Sequence, residues 1–367
     1  MLDLEVRGAP SVYACEVGVL DQLDNLLLQR GIFKVLVLHG EKSWEVARTF
    51  FQKDSNSIHY LFEKYKGECS LQEISRICQE ISSEKVDAII GVGGGKVLDV
   101  AKAVANELDL EVILIPTLAS TCAAWTPLSV LYDENGEFTH YTMFPRNTLM
   151  VLVEPRIILQ SPPRLLKAGI ADTLAKWYEA KAIIRNLPEK SLVIEIAYQT
   201  AKICKDELLQ HGEQAIVDME KGQLSYSFTK VIETNIVAGG MVGGFGDKYG
   251  RISGAHSVHN GLTTVPDTHH LLHGEKVGYG ILVQLAMLEE WDEIDRLLPF
   301  YKTMDFPISL SDVGIKKNDC KTLSQVCKAV TLPHESIHLL KRDISKEMVY
   351  GAMLGLEKHI KTLSGNS

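Results

Sequence analysis

Between residues 34 and 116, short apolar runs alternate with stretches whose apolar residues recur every three or four positions. Residues 34–38 form the first apolar run, followed by a helical stretch beginning near Ser43. Residues 59–62 read as a second strand and residues 70–82 as an amphipathic helix. A nearly continuous apolar strand spans 86–92 and ends in Gly93, Gly94 and Gly95. A helix then runs from Val97 to about Asn106, and residues 111–116 form a fourth strand. Apolar strands separated by helices predict a parallel sheet buried on both faces.

After about Pro162 the period changes. Residues 165–185, 192–209, 228–243, 277–289 and 346–362 carry apolar residues at helical spacing. No internal repeat, low-complexity tract or flexible linker interrupts them. The pattern predicts an α/β amino-terminal domain over residues 1–161 joined directly to an all-α carboxy-terminal domain over residues 162–367. A cleft between two such domains is a preferred place for cofactor and substrate.

Composition narrows the function classes. The 367 residues are 46% hydrophobic and 23% charged, ordinary for a soluble globular protein, and the length favours two domains. A net charge of −9 argues against a nucleic-acid partner, whose footprint is a basic patch. No apolar run approaches the ~20 residues that span a bilayer, so no membrane association is expected. The amino terminus lacks the basic and apolar regions of a signal peptide. Seven cysteines, an odd number without a Cys-x-x-Cys pair, give no disulfide framework or thiolate zinc knuckle. The expected compartment is the cytoplasm.

The stretch Gly91, Val92, Gly93, Gly94, Gly95, Lys96 follows a buried strand and opens a helix. Small residues there let a phosphate approach the backbone, and free N–H groups with the helix dipole attract it. Lys96 adds a point charge. The pattern is neither Gly-x-Gly-x-x-Gly nor a P-loop, and the plain alternative is a tight turn that needs glycine for backbone reasons. Residues 116–121 follow the next strand with further small polar side chains. Ligands of open α/β sheets sit beyond the carboxyl ends of the strands, which favours the binding role.

Five of the 12 histidines fall within residues 256–273: His256, His259, His269, His270 and His273. Imidazole is the commonest metal ligand, and an open catalytic site needs a carboxylate or thiolate beside it. Asp172 lies in a helical stretch of small and apolar residues, with Lys176 and Glu179 four and seven positions on. An Asp172–Lys176 ion pair is the plain alternative. One carboxylate with two histidines makes a recognised open metal site. His256 and His259 share a helical face, and spacing does not choose between them. His273 precedes Gly274 at a loop-to-helix entry, while His269 and His270 are adjacent and point different ways.

Taken together, Gly93 to Lys96 with Asp99 and Lys102, Pro116 and Thr117 with Ala119, Ser120 and Thr121, Leu128 to Val130, residues 169–172 and the block 255–274 resemble the glycerol-dehydrogenase-like branch of the iron-containing alcohol dehydrogenase family. The resemblance covers nearly the whole chain. It implies a dehydroquinate-synthase-like fold in which the α/β domain binds a nicotinamide dinucleotide across the triple glycine. It implies one divalent metal on Asp172, His256 and His273, usually zinc in this branch and iron in others. His259 then stands behind the ligands or relays a proton. Cofactor contacts are implied for Gly40, Gly94, Gly95, Lys96, Asp99, Thr117, Ser120, Thr126, Leu128, Val130 and Tyr132. The metal would polarise the oxygen of a small-molecule substrate while hydride moves to or from nicotinamide. Relatives are often homo-oligomers, although no interface is legible here.

Two departures from the branch bear on substrate and cofactor. Cys122 stands where glycerol dehydrogenases carry an aspartate close to the polyol hydroxyls, and Ala123, Ala124 and Trp125 follow it. Losing an acceptor and gaining a bulky ring weakens polyol recognition. Residues 241–251 carry Lys248 and Arg251 where glycerol dehydrogenases are small and neutral. Both features look like a subgroup acting on 2-oxo and 2-hydroxy carboxylates. Arg251 is the candidate to bind a substrate carboxylate, against an interdomain or interface salt bridge. After the first strand Gly40 occupies the place of the acidic residue that NAD-preferring members aim at the ribose, with Glu41, Lys42 and Ser43 beside it. Removing that carboxylate favours NADP(H) over NAD(H), with Glu41 as the counter-argument. The rivals are a glycerol or other polyol dehydrogenase, a dehydroquinate-synthase-like lyase and a non-catalytic descendant. Asp172, where the lyase uses glutamate, disfavours the second; an intact Asp172, His256 and His273 disfavours the third.

Overall fold

The computed structural model describes residues 4–51, 55–134, 136–340 and 343–365. The first three positions of the amino terminus, read above for a leader segment, lie outside them. The strands are β1 (Val12–Cys15), β2 (Lys34–His39), β3 (His59–Lys64), β4 (Ala88–Gly93), β5 (Glu111–Pro116), β6 (Leu128–Tyr132), β7 (Phe138–Met143) and β8 (Met150–Val153). Among the described residues, six of them form one parallel sheet in the order β1-β8-β5-β4-β2-β3. β4 is buried along its whole length, as its unbroken apolar run requires. One face of the sheet, carrying Val35, Val37, Ile90, Val92, Ile113 and Ile115, packs on Leu20, Leu23 and Leu27. Helix Gly95–Glu107 lies against β4 and β5. Helix Leu71–Glu80 starts where expected because Ser70 caps it, Oγ accepting the Glu73 N–H at 3.2 Å.

The described residues divide into two compact units. The α/β unit comprises Arg7–Pro163 and, unexpectedly, Asp218–Met241. The helical unit comprises Arg164–Val217, the chain from Val242 onward and the amino-terminal stretch ending at Val6. The sequence pattern assigns 218–241 to the carboxy-terminal domain, but specific contacts tie it to the sheet unit. Asn235 Nδ2 donates to the Ala119 carbonyl at 2.8 Å, and the Trp125 ring covers Gly240 so closely that a Cβ there would collide with it.

Three further differences are local. β1 and β8 are only four residues long, too short for a period to register. The β6–β7 antiparallel hairpin is missed because its second strand is largely exposed and polar. The single helix expected over 228–243 is broken into Tyr226–Glu233, a π-helical turn Thr234–Ala238 and Gly239–Gly246. In the helical unit, helix Pro163–Ile184 is buried continuously from Ala168 to Ala180, so it is a central element rather than an amphipathic surface one. Helix Leu192–Glu220 runs past the expected end, with Ala215, Ile216 and Met219 buried. No helix among the described residues is long and apolar enough to cross a membrane.

Candidate functional site

Helix Pro163–Ile184 places Asp172 at its middle, helix Gly254–Thr263 carries His256, and His273 is the first residue of helix His273–Met287. The Nε2 atoms of His256 and His273 each lie 3.3 Å from Asp172 Oδ1, and one ligand atom from each residue falls within 4.8 Å of the others. Asp172 and His256 are buried while His273 is exposed, so the group opens to solvent on one side. Asp172 Oδ1 is buried yet makes no well-directed hydrogen bond. A buried carboxylate oxygen in that state wants a partner. Two imidazole nitrogens and this oxygen are a donor set that zinc or iron takes, with room left for substrate. The residues therefore fit a divalent cation.

The supports behind the trio are specific. Glu179 Oε2 lies 2.7 Å from His256 Nδ1, and Glu179 Oε1 accepts the N–H groups of Ser253 and His256 at 2.7 and 2.9 Å. His259 Nε2 lies 3.0 Å from His273 Nδ1, and its own Nδ1 lies 3.0 Å from Asn260 Oδ1. Lys176 donates to the Arg251 carbonyl at 2.9 Å while adding positive charge near Asp172. Gln284 Oε1 accepts from Ser253 Oγ and the Ala255 N–H, both at 3.1 Å, and its amide donates to the Tyr178 carbonyl at 2.9 Å. Arg164 grips Glu275 with two bonds of 2.6 Å, and Glu275 accepts the Leu272 N–H at 2.8 Å, fixing the entry to the His273 helix. That helix meets helix Pro163–Ile184 at Gly274, where a Cβ would fall on the Ala168 carbonyl. His269 and His270 are exposed and bond the Thr263 and Asp267 carbonyls, apart from the trio.

Charge follows from these contacts. Burial opposes ionisation of Asp172, but the neighbouring imidazoles and Lys176 outweigh it and hold its pKa well below the usual carboxylate range. Burial would also lower the His256 pKa, yet Glu179 and Asp172 prevail and raise it to about 9. His259 is pushed the other way, well below an ordinary histidine, by burial and by the two histidines beside it.

In the α/β unit, Gly40, the triple glycine and Thr117 stand at the carboxyl ends of the adjacent strands β2, β4 and β5. Helix Gly95–Glu107 has no side-chain cap, which leaves its first N–H groups for a ligand. Gly94 is explained by packing, since a Cβ there would stand 2.8 Å from Leu118 Cδ1. Gly95 is not: a Cβ would make only ordinary contacts, 3.6 Å to Thr121 Oγ1 and 3.7 Å to Ala123. Close approach by a ligand is the remaining reason for glycine, and the turn fits a dinucleotide phosphate. Lys96 pairs with Glu68 and lies 4.8 Å over the Tyr132 ring. Ser120, Thr126, Leu128 and Val130 are half-buried along the neighbouring segment.

Several expected residues have other roles. Asp99 is buried, with Oδ1 2.9 Å from Lys102 Nζ and Oδ2 accepting the Val130 N–H at 3.0 Å. Lys102 donates onward to the carbonyls of Ala123, Thr126 and Leu128. The pair is internal scaffolding for the segment that holds Thr126 to Val130, and both oxygens of Asp99, read from the sequence as a cofactor contact, are engaged there. Trp125 does not stand at a ligand surface: its Nε1 donates to the Gly8 carbonyl at 2.8 Å and its ring meets Tyr13 edge-on at 5.4 Å. Burial of a large ring with its N–H satisfied outweighs exposure. Arg251 Nε lies 3.3 Å from Asp247 Oδ1, four residues earlier in the chain. Glu41 pairs with Lys64 at 3.0 Å, and the Ser43 hydroxyl bonds the Gly40 and Val92 carbonyls. Glu179 was legible only as a carboxylate two turns after Asp172 on one face; nothing in the sequence signalled Gln284 or the Arg164–Glu275 clamp.

Comparison with known proteins assigns the family. The model of the iron-containing alcohol dehydrogenase family matches residues 10–155. Hydroxycarboxylate dehydrogenase A of Escherichia coli (strain K12) is 37% identical over 96% of this chain and 98% of its own length. Glycerol dehydrogenase of Pseudomonas putida is 38% identical over 79% of this chain and 80% of its own. The crystal structure of glycerol dehydrogenase from Schizosaccharomyces pombe superposes with a TM-score of 0.87 at 27% identity, covering 100% of this chain and 93% of that one. The chain belongs to the iron-containing alcohol dehydrogenase family. It is an oxidoreductase with that family's dehydroquinate-synthase-like fold.

Proposed function

We propose that this oxidoreductase is metal-dependent, uses NAD(P)(H) and acts on a small 2-oxo or 2-hydroxy carboxylate. The convergence of Asp172 Oδ1 with the Nε2 atoms of His256 and His273 carries the metal assignment. A divalent cation there, zinc in preference to iron, would polarise the substrate oxygen, and bound nicotinamide would supply or accept the hydride. Glu179 and His259 hold the two imidazoles with Nε2 forward. The uncapped start of helix Gly95–Glu107 receives cofactor phosphate, with Thr117, Ser120, Thr126, Leu128, Val130 and Tyr132 along its path and Lys96 adding charge. His259, half-buried and bonded to His273, would pass the hydroxyl proton outward, a role checked by the pH profile of His259→Ala. Gly40 at the ribose position, and Glu41 held by Lys64, support NADP(H) over NAD(H). Seven cysteines, an odd number without a Cys-x-x-Cys pair, support a cytoplasmic location.

The substrate class rests on the likeness to hydroxycarboxylate dehydrogenase A along nearly its full length. Arg251 meets Asp247 through Nε alone, and its terminal nitrogens are the donors that would bind a substrate carboxylate. A second reading, polyol oxidation, is favoured by the burial of Trp125, which withdraws one argument against it, and by 38% identity to a glycerol dehydrogenase over 79% of the chain. The deciding assay follows NADPH and NADH oxidation by zinc-loaded protein with 2-oxobutyrate, 2-oxoglutarate and dihydroxyacetone. Faster turnover of the oxo acids is expected. Turnover of dihydroxyacetone alone would install the polyol reading.

A further inference from the structure

We propose that Glu179 is the positioning residue of the metal centre: it sets the tautomer of His256 and thereby makes Nε2 the atom offered to the metal. This rests on the proposed reading of Asp172, His256 and His273 as ligands. Glu179 is fully buried. Its Oε1 accepts two backbone N–H groups, from Ser253 at 2.7 Å and His256 at 2.9 Å. These lie at the start of helix Gly254–Thr263, which has no side-chain cap from its own N-cap Ser253, so Glu179 caps it from another helix. Its Oε2 faces His256 Nδ1 at 2.7 Å.

The arrangement is directional. A backbone N–H only donates, so Oε1 must remain an acceptor. The planar carboxylate then presents its second oxygen to the ring, and a carboxylate oxygen also accepts. In the neutral ring that a metal requires, Nδ1 must therefore carry the proton, and the lone pair of Nε2 is the one left for the metal. Carboxylate–histidine–metal arrangements work in this way.

Glu179→Gln separates capping from positioning. Glutamine keeps both backbone bonds through its carbonyl oxygen, which turns its NH2 group towards Nδ1. Nδ1 must then accept, and the ring proton moves to Nε2, where the metal has to bind. The probe is zinc, measured by competition with a chromophoric chelator. Glu179→Gln should bind zinc about 10- to 100-fold more weakly, and the rise in Tm that zinc gives should shrink. Parental zinc affinity in this variant would overturn the inference.

Asp172→Asn distinguishes the two levels. If it loses zinc while Glu179→Gln does not, only the role of Glu179 falls. If Asp172→Asn also keeps parental affinity, the ligand assignment falls and takes this inference with it. A measurement on the parent protein is independent of how the variants fold. In the zinc-loaded state, nitrogen NMR should find His256 protonated at Nδ1 and metal-bound at Nε2; the reverse would refute the proposal.

Discussion

Asp172 and Glu179 meet opposite edges of the His256 ring from a single helix, Asp172 Oδ1 at 3.3 Å from Nε2 and Glu179 Oε2 at 2.7 Å from Nδ1. Seven residues are two helical turns, so both carboxylates rise from the same face. On the proposed reading, one buried helix thus presents a ligand and a support for a second ligand. Errors of placement are shared between them, which suits a centre whose geometry has to be held closely.

Zinc binding should be measurable without any substrate. Zinc held at about 1,000 times its Kd stabilises the fold by about 4 kcal/mol, read as a rise in Tm that a chelator reverses. Asp172→Asn should show no such rise. A zinc-dependent shift that survives this substitution would place the metal elsewhere.

Lys102→Met should destabilise the α/β unit by about 3–5 kcal/mol, because it strands the buried Asp99 carboxylate and three carbonyls. Urea unfolding gives the value. Adding Asp99→Asn should recover part of the loss by removing the unpaired charge. Recovery of nothing would mean that the carbonyl bonds, and not the ion pair, dominate.

Cys122 offers a reporter for the cofactor turn. It is half-buried in the segment after Thr121, whose hydroxyl borders Gly95. At pH 8 a thiol reagent should modify exposed Cys320 first and Cys122 more slowly. Burial pushes the Cys15 and Cys327 thiols up to about 12, so they should react only on unfolding. Saturating NADPH should slow labelling of Cys122. An unchanged rate with both NADPH and NADH would remove the dinucleotide from this turn.

Two glycine-to-alanine changes should act in opposite directions. Gly351 is exposed within helix Lys346–Gly365 with nothing near its missing Cβ, so Gly351→Ala should stabilise by about 1 kcal/mol. Gly274→Ala drives a methyl group into the Ala168 backbone and should disturb the His273 helix. Thermal melts and zinc titration together check both. A Gly274→Ala protein with parental zinc affinity would show that the helices can separate there without moving His273.

The parallel sheet and the cluster of Asp172, His256 and His273 were legible for different reasons. Long apolar runs such as β4 announce themselves through burial on both faces. Asp172 and His273 stood out by residue type in unlikely settings. Spacing left His256 and His259 tied because both lie on one helical face; the structure gives them separate duties, one beside Asp172 and the other behind His273. Trp125 was misjudged because neighbours in an irregular segment need not face the same way, and three residues after Cys122 the ring turns inward to Tyr13 and Gly240. Asp99 and Lys102 were found as a motif, but a motif does not say whether its charges face a ligand or each other.

Residues Asp218–Met241 complete a unit begun near Arg7, so the order of synthesis differs from the order of packing. When Pro163 leaves the ribosome, the Ala119 carbonyl still lacks Asn235 and the Trp125 ring still lacks Gly240. The sheet can assemble, but its closing segment arrives only after helix Leu192–Glu220 has been made. A fragment cut at Pro163 would therefore carry an open apolar wound and invite aggregation. Any module excised from this enzyme for fusion or selection should include the returning segment, or it will be an unfinished core.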